Sequence, residues 1–189
     1  MRKEAKRQIF HALLGTIIVS LFYFNLLPLY LFGIIIITGA IISISWKNGS
    51  EVIIGWFLEN FERKKEHPGK GALFYFVGCF FALLFFPKNI ALASIMILAL
   101  GDSVSHYIGK FYGKRKHPFN NKRCCEGTVV GTLAGFLGAL IFVPAMNAFF
   151  ASLIAMNLEV IEWKKLRLDD NLIIPLVAGL VMYFLGNLI

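Results

Sequence analysis

The chain has 189 residues, of which 58% are hydrophobic, and its formal net charge is +8 at pH 7. Soluble domains contain about 45–50% apolar residues, so this composition and a mean hydropathy of +0.71 exclude an ordinary soluble fold. Apolar runs close to the length needed to cross a bilayer recur along the whole chain, which indicates an integral membrane protein rather than a soluble domain with one anchor.

The hydropathy pattern predicts an all-α, polytopic transmembrane bundle of about seven spans, which forms one domain over residues 1–189. Between the second and third spans, residues 47–69 place apolar and charged positions at helical spacing, which predicts an amphipathic helix in the membrane interface. Residues 110–126 are predicted to form a basic cytoplasmic loop. The predicted spans cover residues 8–24, 26–46, 70–87, 89–109, 127–143, 145–162 and 171–188.

The charges separate strongly between the two sides of this predicted bundle. Eighteen of the nineteen Lys and Arg residues lie in the N-terminus or in connections on its side, and only Lys88 lies opposite. Positive residues favour the cytoplasmic side, so we expect a cytoplasmic N-terminus and an external C-terminus. The acids follow the same side, except Asp102 and Glu159, which fall within predicted spans. This arrangement favours an enzyme acting at one leaflet over a transporter, and we expect no nucleic-acid partner.

The fourth predicted span carries the most informative residues. On a helix, Asp102, His106, Gly109 and Gly113 would share one face, with Ser105 beside it. An ionisable residue within a span costs about 2.5–3.5 kcal/mol on insertion scales and usually marks a functional site. Asp102 is therefore either a metal ligand or catalytic base, or a residue that packs helices through hydrogen bonds. His106 alone is either structural or a support for the site.

The connection after this span concentrates positive charge. For any single lysine the simpler interpretation is that it fixes the topology. Together, these cations beside glycines also suit a triphosphate, which needs Lys or Arg and usually Mg²⁺. Glu126 is the sole acid there and is a candidate for holding the metal or orienting a lysine. The cations are Lys110, Lys114, Arg115, Lys116, Lys122 and Arg123.

A glycine repeat follows in the fifth predicted span. Gly127, Gly131 and Gly135 recur at every fourth position, which indicates a close helix–helix contact through small residues. That contact would lie either within the chain or between two copies in a homodimer. Gly127 is also a candidate for admitting a phosphate group close to the backbone.

The last polar cluster precedes the final predicted span. Asp169 and Asp170 are followed by Asn171, and Pro175 lies inside the next helix. Acids at a helix start accept hydrogen bonds from the unpaired backbone N–H groups, which accounts for one of the pair. Two carboxylates and an amide also form a hard-oxygen set suited to Mg²⁺.

Together these motifs resemble the CTP-dependent lipid-alcohol kinases, a family that includes dolichol kinase, phytol kinase and yeast-type diacylglycerol kinase. The stretch from Gly101 to Gly127 is also similar to CDP-diacylglycerol synthases, but those enzymes would carry Lys-Lys-Thr where this chain has Arg123, Cys124 and Cys125. The kinase resemblance is carried by residues 6–11 with Gly15, 69–73, 101–114, 122–128 and 169–176.

The resemblance implies transfer of the γ-phosphoryl group of CTP to a long-chain lipid alcohol. Candidate acceptors are dolichol or another polyprenol, a phytol-like isoprenoid, and diacylglycerol, and the cofactor would be Mg²⁺ or another divalent cation. The site would face the cytoplasm, in the plasma membrane of a prokaryote or archaeon or in the endoplasmic reticulum of a eukaryote. The runner-up is a CDP-lipid synthase, and the third alternative is a transporter or a non-catalytic membrane protein.

The implied roles fall on the polar residues already described. Catalytic roles are assigned to Asp102, Glu126 and Asp170, and metal binding is assigned to Asp102, Asp169 and Asp170. Contacts with the lipid or the phosphates are assigned to Arg7, His11 and His106. The nucleotide-binding candidates are Gly101, Ser105, Gly109, Lys110, Gly113, Lys114, Lys122, Arg123, Gly127 and Asn171.

Overall fold

The computed structural model describes residues 2–45, 69–161 and 169–186, which form seven helices and one short hairpin. Apart from Gly69, the interfacial helix predicted at residues 47–69 lies outside the described residues. Each of the seven described helices overlaps one predicted span, and α1 begins six residues before the predicted start at residue 8. The helices are α1 (Arg2–Tyr23), α2 (Leu29–Ser45), α3 (Lys70–Phe85), α4 (Lys88–Phe111), α5 (Cys125–Ala139), α6 (Ala145–Leu158) and α7 (Asp170–Gly186).

The structure is mostly helical, as predicted, and the basic connection adds a short hairpin that the sequence pattern does not predict. Strands β1 (Lys116–His117) and β2 (Asn120–Cys124) pair antiparallel there, and Pro118 lies in the turn, where its fixed φ is favourable. Residues 110–126 are therefore the end of α4, a hairpin and the start of α5 rather than a loop.

Helix α4 changes its hydrogen-bonding pattern along its length. Lys88–Met96 and Ser103–Phe111 are α-helical, whereas the intervening Ile97–Asp102 is π-helical. Short π-helical segments of this kind are frequent at functional sites. Asp102 ends the π segment, and the rise of a helix places it about 14 Å from the helix terminus at Phe111. Asp102 therefore lies inside the bundle rather than at its end.

The glycine repeat brings α5 into close contact with α4. A Cβ atom added at Gly127 would lie 2.6 Å from the Ser105 carbonyl oxygen and 2.9 Å from the Gly109 Cα. At Gly131 it would lie 2.8 Å from the Gly101 carbonyl oxygen. The predicted helix–helix contact is confirmed, and it lies within the chain. The repeat glycines that face a neighbouring helix in this way are Gly127, Gly131 and Gly135.

Long-range polar contacts define the two ends of the bundle. At one end, Lys110 at the end of α4 donates a hydrogen bond of 2.8 Å to Glu4 of α1. At the other end, Lys88 donates to the Asn25 side chain at 2.7 Å and to the Tyr23 carbonyl at 3.1 Å. Lys88 is the one cation that the sequence separates from the rest, and among the described residues it lies at the opposite end of the fold from Lys110.

The outward surface of the helices is apolar. Among the described residues, α4 is the one helix long and apolar enough to cross a membrane, and five further apolar helices have 10–17 residues. On α5, Val129, Leu133 and Leu137 form a stripe in which each side chain is at least half exposed. Soluble proteins rarely expose extended apolar patches, and lipid chains are the medium that would cover such stripes.

The glycine contact leads to a stability prediction. We expect Gly131→Ala to lower the free energy of unfolding by about 1–3 kcal/mol, the usual cost of overpacking, because the new methyl group would collide with the Gly101 backbone. Gly39→Ala makes the same chemical change where no atom of the described residues lies within 4 Å of the new methyl group, and it serves as the control. The thermal midpoints of the two purified variants in detergent give the measurement. Equal midpoints would contradict the close contact.

Candidate active site

The two acids that the sequence places within spans meet near the charged end of the bundle. Asp102 comes from the π segment of α4 and Glu159 directly follows α6; their side chains are 8% and 1% exposed. His106 lies between them, with Nδ1 3.0 Å from Asp102 Oδ1 and 3.6 Å from Glu159 Oε1. The four-residue spacing of Asp102 and His106 accounts for their contact, because it places both on one helical face.

Strand β2 delivers a positive charge into this cluster. Arg123 Nη1 contacts Glu159 Oε1 and lies 2.8 Å from His106 Nε2, while Nη2 donates to Asp170 Oδ2 at 2.9 Å. Burial lowers the pKa of Arg123, but the carboxylates of Glu159, Asp102 and Asp170 raise it by more. Arg123 is therefore a charged guanidinium that balances the buried Asp102 and Glu159 and the partly exposed Asp170.

Helix α1 contributes a second imidazole. His11 Nε2 lies 3.5 Å from Asp102 Oδ2, on the opposite carboxylate oxygen from the one that faces His106. The His11 ring packs edge-on against Tyr75, with centroids 4.2 Å apart, and the Tyr75 hydroxyl donates to the His11 carbonyl. The structure thus brings His11 and His106 to the same carboxylate, although they come from separate helices.

A smaller polar patch joins the same ends of α1 and α4. The Glu4 carboxylate pairs with Arg7 and with Lys110, and it accepts a hydrogen bond from Gln8 at 2.9 Å. The Lys110 side chain is 55% exposed, so its ammonium group remains accessible from solvent. Arg7 and Lys110, both predicted from the sequence, therefore lie together at the charged end of the bundle.

The neighbouring acids at the start of α7 differ in their contacts. Asp169 Oδ1 accepts a hydrogen bond of 3.1 Å from the Asn171 backbone N–H, which confirms that capping accounts for one of the pair. Asp170 instead binds Arg123 and joins the cluster. Asn171 donates to the Gly71 carbonyl at 3.4 Å, a contact that ties the start of α7 to α3.

Glu126 lies at the base of the hairpin. Its two carboxylate oxygens are 3.0 and 3.2 Å from the Arg115 backbone nitrogen, from which they accept a hydrogen bond. Within the part of the chain that the structure describes, no hydrogen bond or ion pair joins Glu126 to Asp102. Its contacts hold the hairpin against the first turn of α5, and its predicted catalytic role remains a prediction.

The predicted nucleotide-binding glycines serve chiefly as packing positions. Gly101, Ser105 and Gly109 face α5. The expectation that Gly113 continues the helical face of α4 is wrong, because α4 ends at Phe111. A Cβ atom at Gly113 would collide with the Cys124 side chain. The exposed basic residues that flank or belong to the hairpin are Lys114, Arg115, Lys116 and Lys122.

Glu159 belongs to the cluster but is not among the site residues predicted from the sequence. The signal that could have identified it is the one used for Asp102, since both are acids within predicted spans. Asp102, His106 and Glu159 each offer a ligand atom, and these three atoms lie within 4.8 Å of one another. This set can hold a cation, and it shares only Asp102 with the three metal ligands predicted from the sequence.

The fold and the site define a class of protein: an apolar helical bundle with buried acids, imidazoles and a guanidinium close to one charged end. No protein-family model matches the chain, and no solved structure matches it significantly. An uncharacterized protein of Methanocaldococcus jannaschii is 31% identical over 188 residues, covering 95% of this chain and 93% of that protein.

Two further relatives have names that state an activity. The CTP-dependent diacylglycerol kinase 1 of Eremothecium gossypii is 24% identical, over 96% of this chain and 67% of that protein. A probable chloroplastic phytol kinase of Zea mays is 28% identical over 66% of this chain, which spans 46% of the maize protein. The chain is thus similar over most of its length to CTP-dependent diacylglycerol kinases and, over about two thirds of it, to probable phytol kinases.

Proposed function

We propose that this protein transfers the γ-phosphoryl group of CTP to the hydroxyl of a long-chain lipid alcohol at the charged end of its helical bundle. The observation that carries the proposal is the buried cluster of Asp102, His106, Glu159 and Arg123, which lies among apolar helices and beside a basic hairpin. The family relationship supplies the expectation that CTP is the donor.

We assign to Asp102 the role of binding and activating the acceptor hydroxyl. Phosphoryl transfer depends on aligning the nucleophile and on neutralising charge, and a carboxylate can orient the hydroxyl and accept its proton. Asp102 is suited to this because His11 and His106 contact opposite oxygens of its carboxylate and fix its orientation. The two imidazoles therefore position the base.

The cations at this end supply the charge that a triphosphate requires. Lys110 and Lys114 follow the cluster along the chain, and Lys122 and Arg123 reach the same end on β2. A guanidinium matches the oxygens of a phosphate group in a planar fork, whereas lysines act as point charges. We propose that these four residues bind the phosphates and that Arg123 is the one nearest to Asp102.

A divalent cation such as Mg²⁺ would supply further neutralisation of phosphate charge when bound. The residues fit such an ion, because both carboxylates are buried and Glu159 Oε2 has no hydrogen-bond or ion-pair partner among the described residues. Oxygen ligands of this kind are the ones that Mg²⁺ prefers. Asp102 and Glu159 are the residues that would hold it.

The lipid substrate would approach through the apolar flank of the bundle. Its hydrocarbon chain would lie among exposed stripes such as that of α5, and its hydroxyl would reach Asp102 near the charged end. The fungal relatives are named for diacylglycerol and the plant relatives for phytol, and both compounds place an alcohol on an apolar body. We therefore propose a long-chain alcohol, such as a polyprenol, an isoprenoid alcohol or diacylglycerol, as the substrate class.

We further propose that the seven helices cross the membrane, with the N-terminus and the hairpin in the cytoplasm. The separation of Lys88 from the other cations supports this orientation, because positive connections favour the cytoplasmic side. CTP would then reach the site from the compartment where nucleotides are made.

The catalytic assignment predicts the effect of one neutralising substitution. Asp102→Asn keeps the shape of the side chain but removes the base, so we expect transfer from γ-labelled CTP into extracted lipid to fall by about 10²–10⁴-fold. The assay uses the purified full-length protein with Mg²⁺ and either diacylglycerol or a polyprenol. Lys88→Gln, at the opposite end of the bundle, is the control and should retain wild-type transfer. A folded Asp102→Asn variant of near wild-type activity would contradict the assignment.

The orientation is tested by labelling single cysteines. After Cys79, Cys124 and Cys125 are replaced by Ser, one cysteine is introduced either at Phe119, at the hairpin tip, or at Leu26, at the opposite end; the native side chains are 82% and 69% exposed. In intact cells, we expect a membrane-impermeant maleimide to label Leu26→Cys and to label Phe119→Cys only after permeabilisation. The reverse pattern would invert the topology.

A further inference from the structure

Three different side chains in the cluster have the spacing of ligands to a single ion. Ligand atoms of Asp102, His106 and Glu159 all lie within 4.8 Å of one another, and the His106–Asp102 and His106–Glu159 distances are 3.0 and 3.6 Å. An ion with bonds of about 2.1 Å places neighbouring ligands about 3.0 Å apart and opposite ligands about 4.2 Å apart. The set thus needs only small shifts to surround one cation.

The buried acids of this set have unused bonding capacity. The Glu159 side chain is 1% exposed; its Oε1 is paired with Arg123, whereas its Oε2 has no hydrogen-bond or ion-pair partner among the described residues. Asp102 Oδ1 is also buried, and the group nearest to it is the His106 ring at 3.0 Å. Burying a carboxylate oxygen without a partner is costly. Lone pairs that converge in this way point to a ligand rather than to packing alone.

Arg123 occupies the atoms that a cation would need. Its Nη1 contacts Glu159 Oε1 and lies 3.1 and 2.8 Å from the two ring nitrogens of His106. A guanidinium N–H and a metal ion cannot use the same lone pairs together. The second nitrogen, Nη2, binds Asp170 instead. Arg123 can therefore leave Glu159 and His106 while Asp170 still holds it at the edge of the site.

We propose that Asp102, His106 and Glu159 bind one divalent cation, and that this cation displaces Arg123 from Glu159 and His106. Arg123 then pivots on Asp170 and presents its guanidinium to the phosphates of the incoming nucleotide. One event thus occupies the metal site and exposes an anion-binding group beside it. The use of this exchange in catalysis depends on the proposed kinase function, whereas the binding of the cation does not.

The presence of an imidazole predicts which ions bind best. Two carboxylates alone would suit Mg²⁺, but a nitrogen ligand favours first-row transition ions, whose affinities rise from Mn²⁺ towards Cu²⁺. We therefore expect Mn²⁺ to bind more tightly than Mg²⁺ in the absence of nucleotide. Mn²⁺ is also a convenient probe, because its free aquo ion has a characteristic six-line electron paramagnetic resonance spectrum that disappears on binding.

The test is a Mn²⁺ titration of the full-length protein in lipid nanodiscs, without nucleotide or lipid substrate. We expect saturable binding. Glu159→Gln and Asp102→Asn should each weaken it by at least about 10–100-fold, which is the loss in affinity that follows when a residue supporting a metal ligand is removed. Glu4→Gln makes the same chemical change outside the cluster and should bind like the wild type. Arg123→Gln should bind as tightly as the wild type or more tightly, because the competing cation is gone.

The Arg123→Gln variant tests whether the cation displaces Arg123 or whether Arg123 only supports the metal site. If Arg123→Gln weakened Mn²⁺ binding as much as Glu159→Gln does, the guanidinium would support the site and the exchange would be wrong. If the wild type did not bind Mn²⁺, or Glu159→Gln bound it normally, the metal site itself would be wrong. Each variant is compared only if its elution volume and thermal midpoint show a folded protein. Mn²⁺ binding without lipid phosphorylation would overturn the kinase proposal and leave this site intact.

Discussion

The arrangement of the charged end depends on the contacts of the Arg123 guanidinium. It binds Glu159 after α6, Asp170 at the start of α7 and His106 on α4. Isolated ions buried in an apolar bundle cost several kcal/mol each, so the guanidinium offsets the cost of bringing these acids together. Because Arg123 belongs to the hairpin, its position also fixes where the basic connection lies.

Two features of the fold bring Arg123 to that position. The repeat glycines of α5 let this helix approach α4 closely, and Arg123 lies two residues before α5 begins. The hairpin is also held from its other side, because Asn120 donates a hydrogen bond of 2.8 Å to the Val160 carbonyl. The small residues of α5 therefore serve the site indirectly: they set the distance at which a cation from β2 reaches an imidazole on α4.

Much of the fold could be predicted because hydropathy reports helix length and burial directly. The helix bounds, the charge separation, Asp102 and the glycine contact all follow from such local signals. The hairpin could not be predicted, because a short basic segment with Pro118 is compatible with any exposed connection. The π segment that carries Asp102 leaves no distinct hydrophobic period in the sequence. The local pattern also could not tell Asp169, which caps α7, from Asp170, which binds Arg123.

The central claim about the cluster is that it catalyses cleavage of the bond between the β-phosphate oxygen and the γ-phosphorus of CTP. Incubating the purified protein and Mg²⁺, with a lipid alcohol in one reaction and a phosphatidate in another, and with CTP that carries different isotopes at the α and γ positions, tests this claim directly. We expect γ label in the lipid and α label in CDP. Alpha label in the lipid, with a phosphatidate-type acceptor and release of pyrophosphate, would contradict it and identify a cytidylyltransferase.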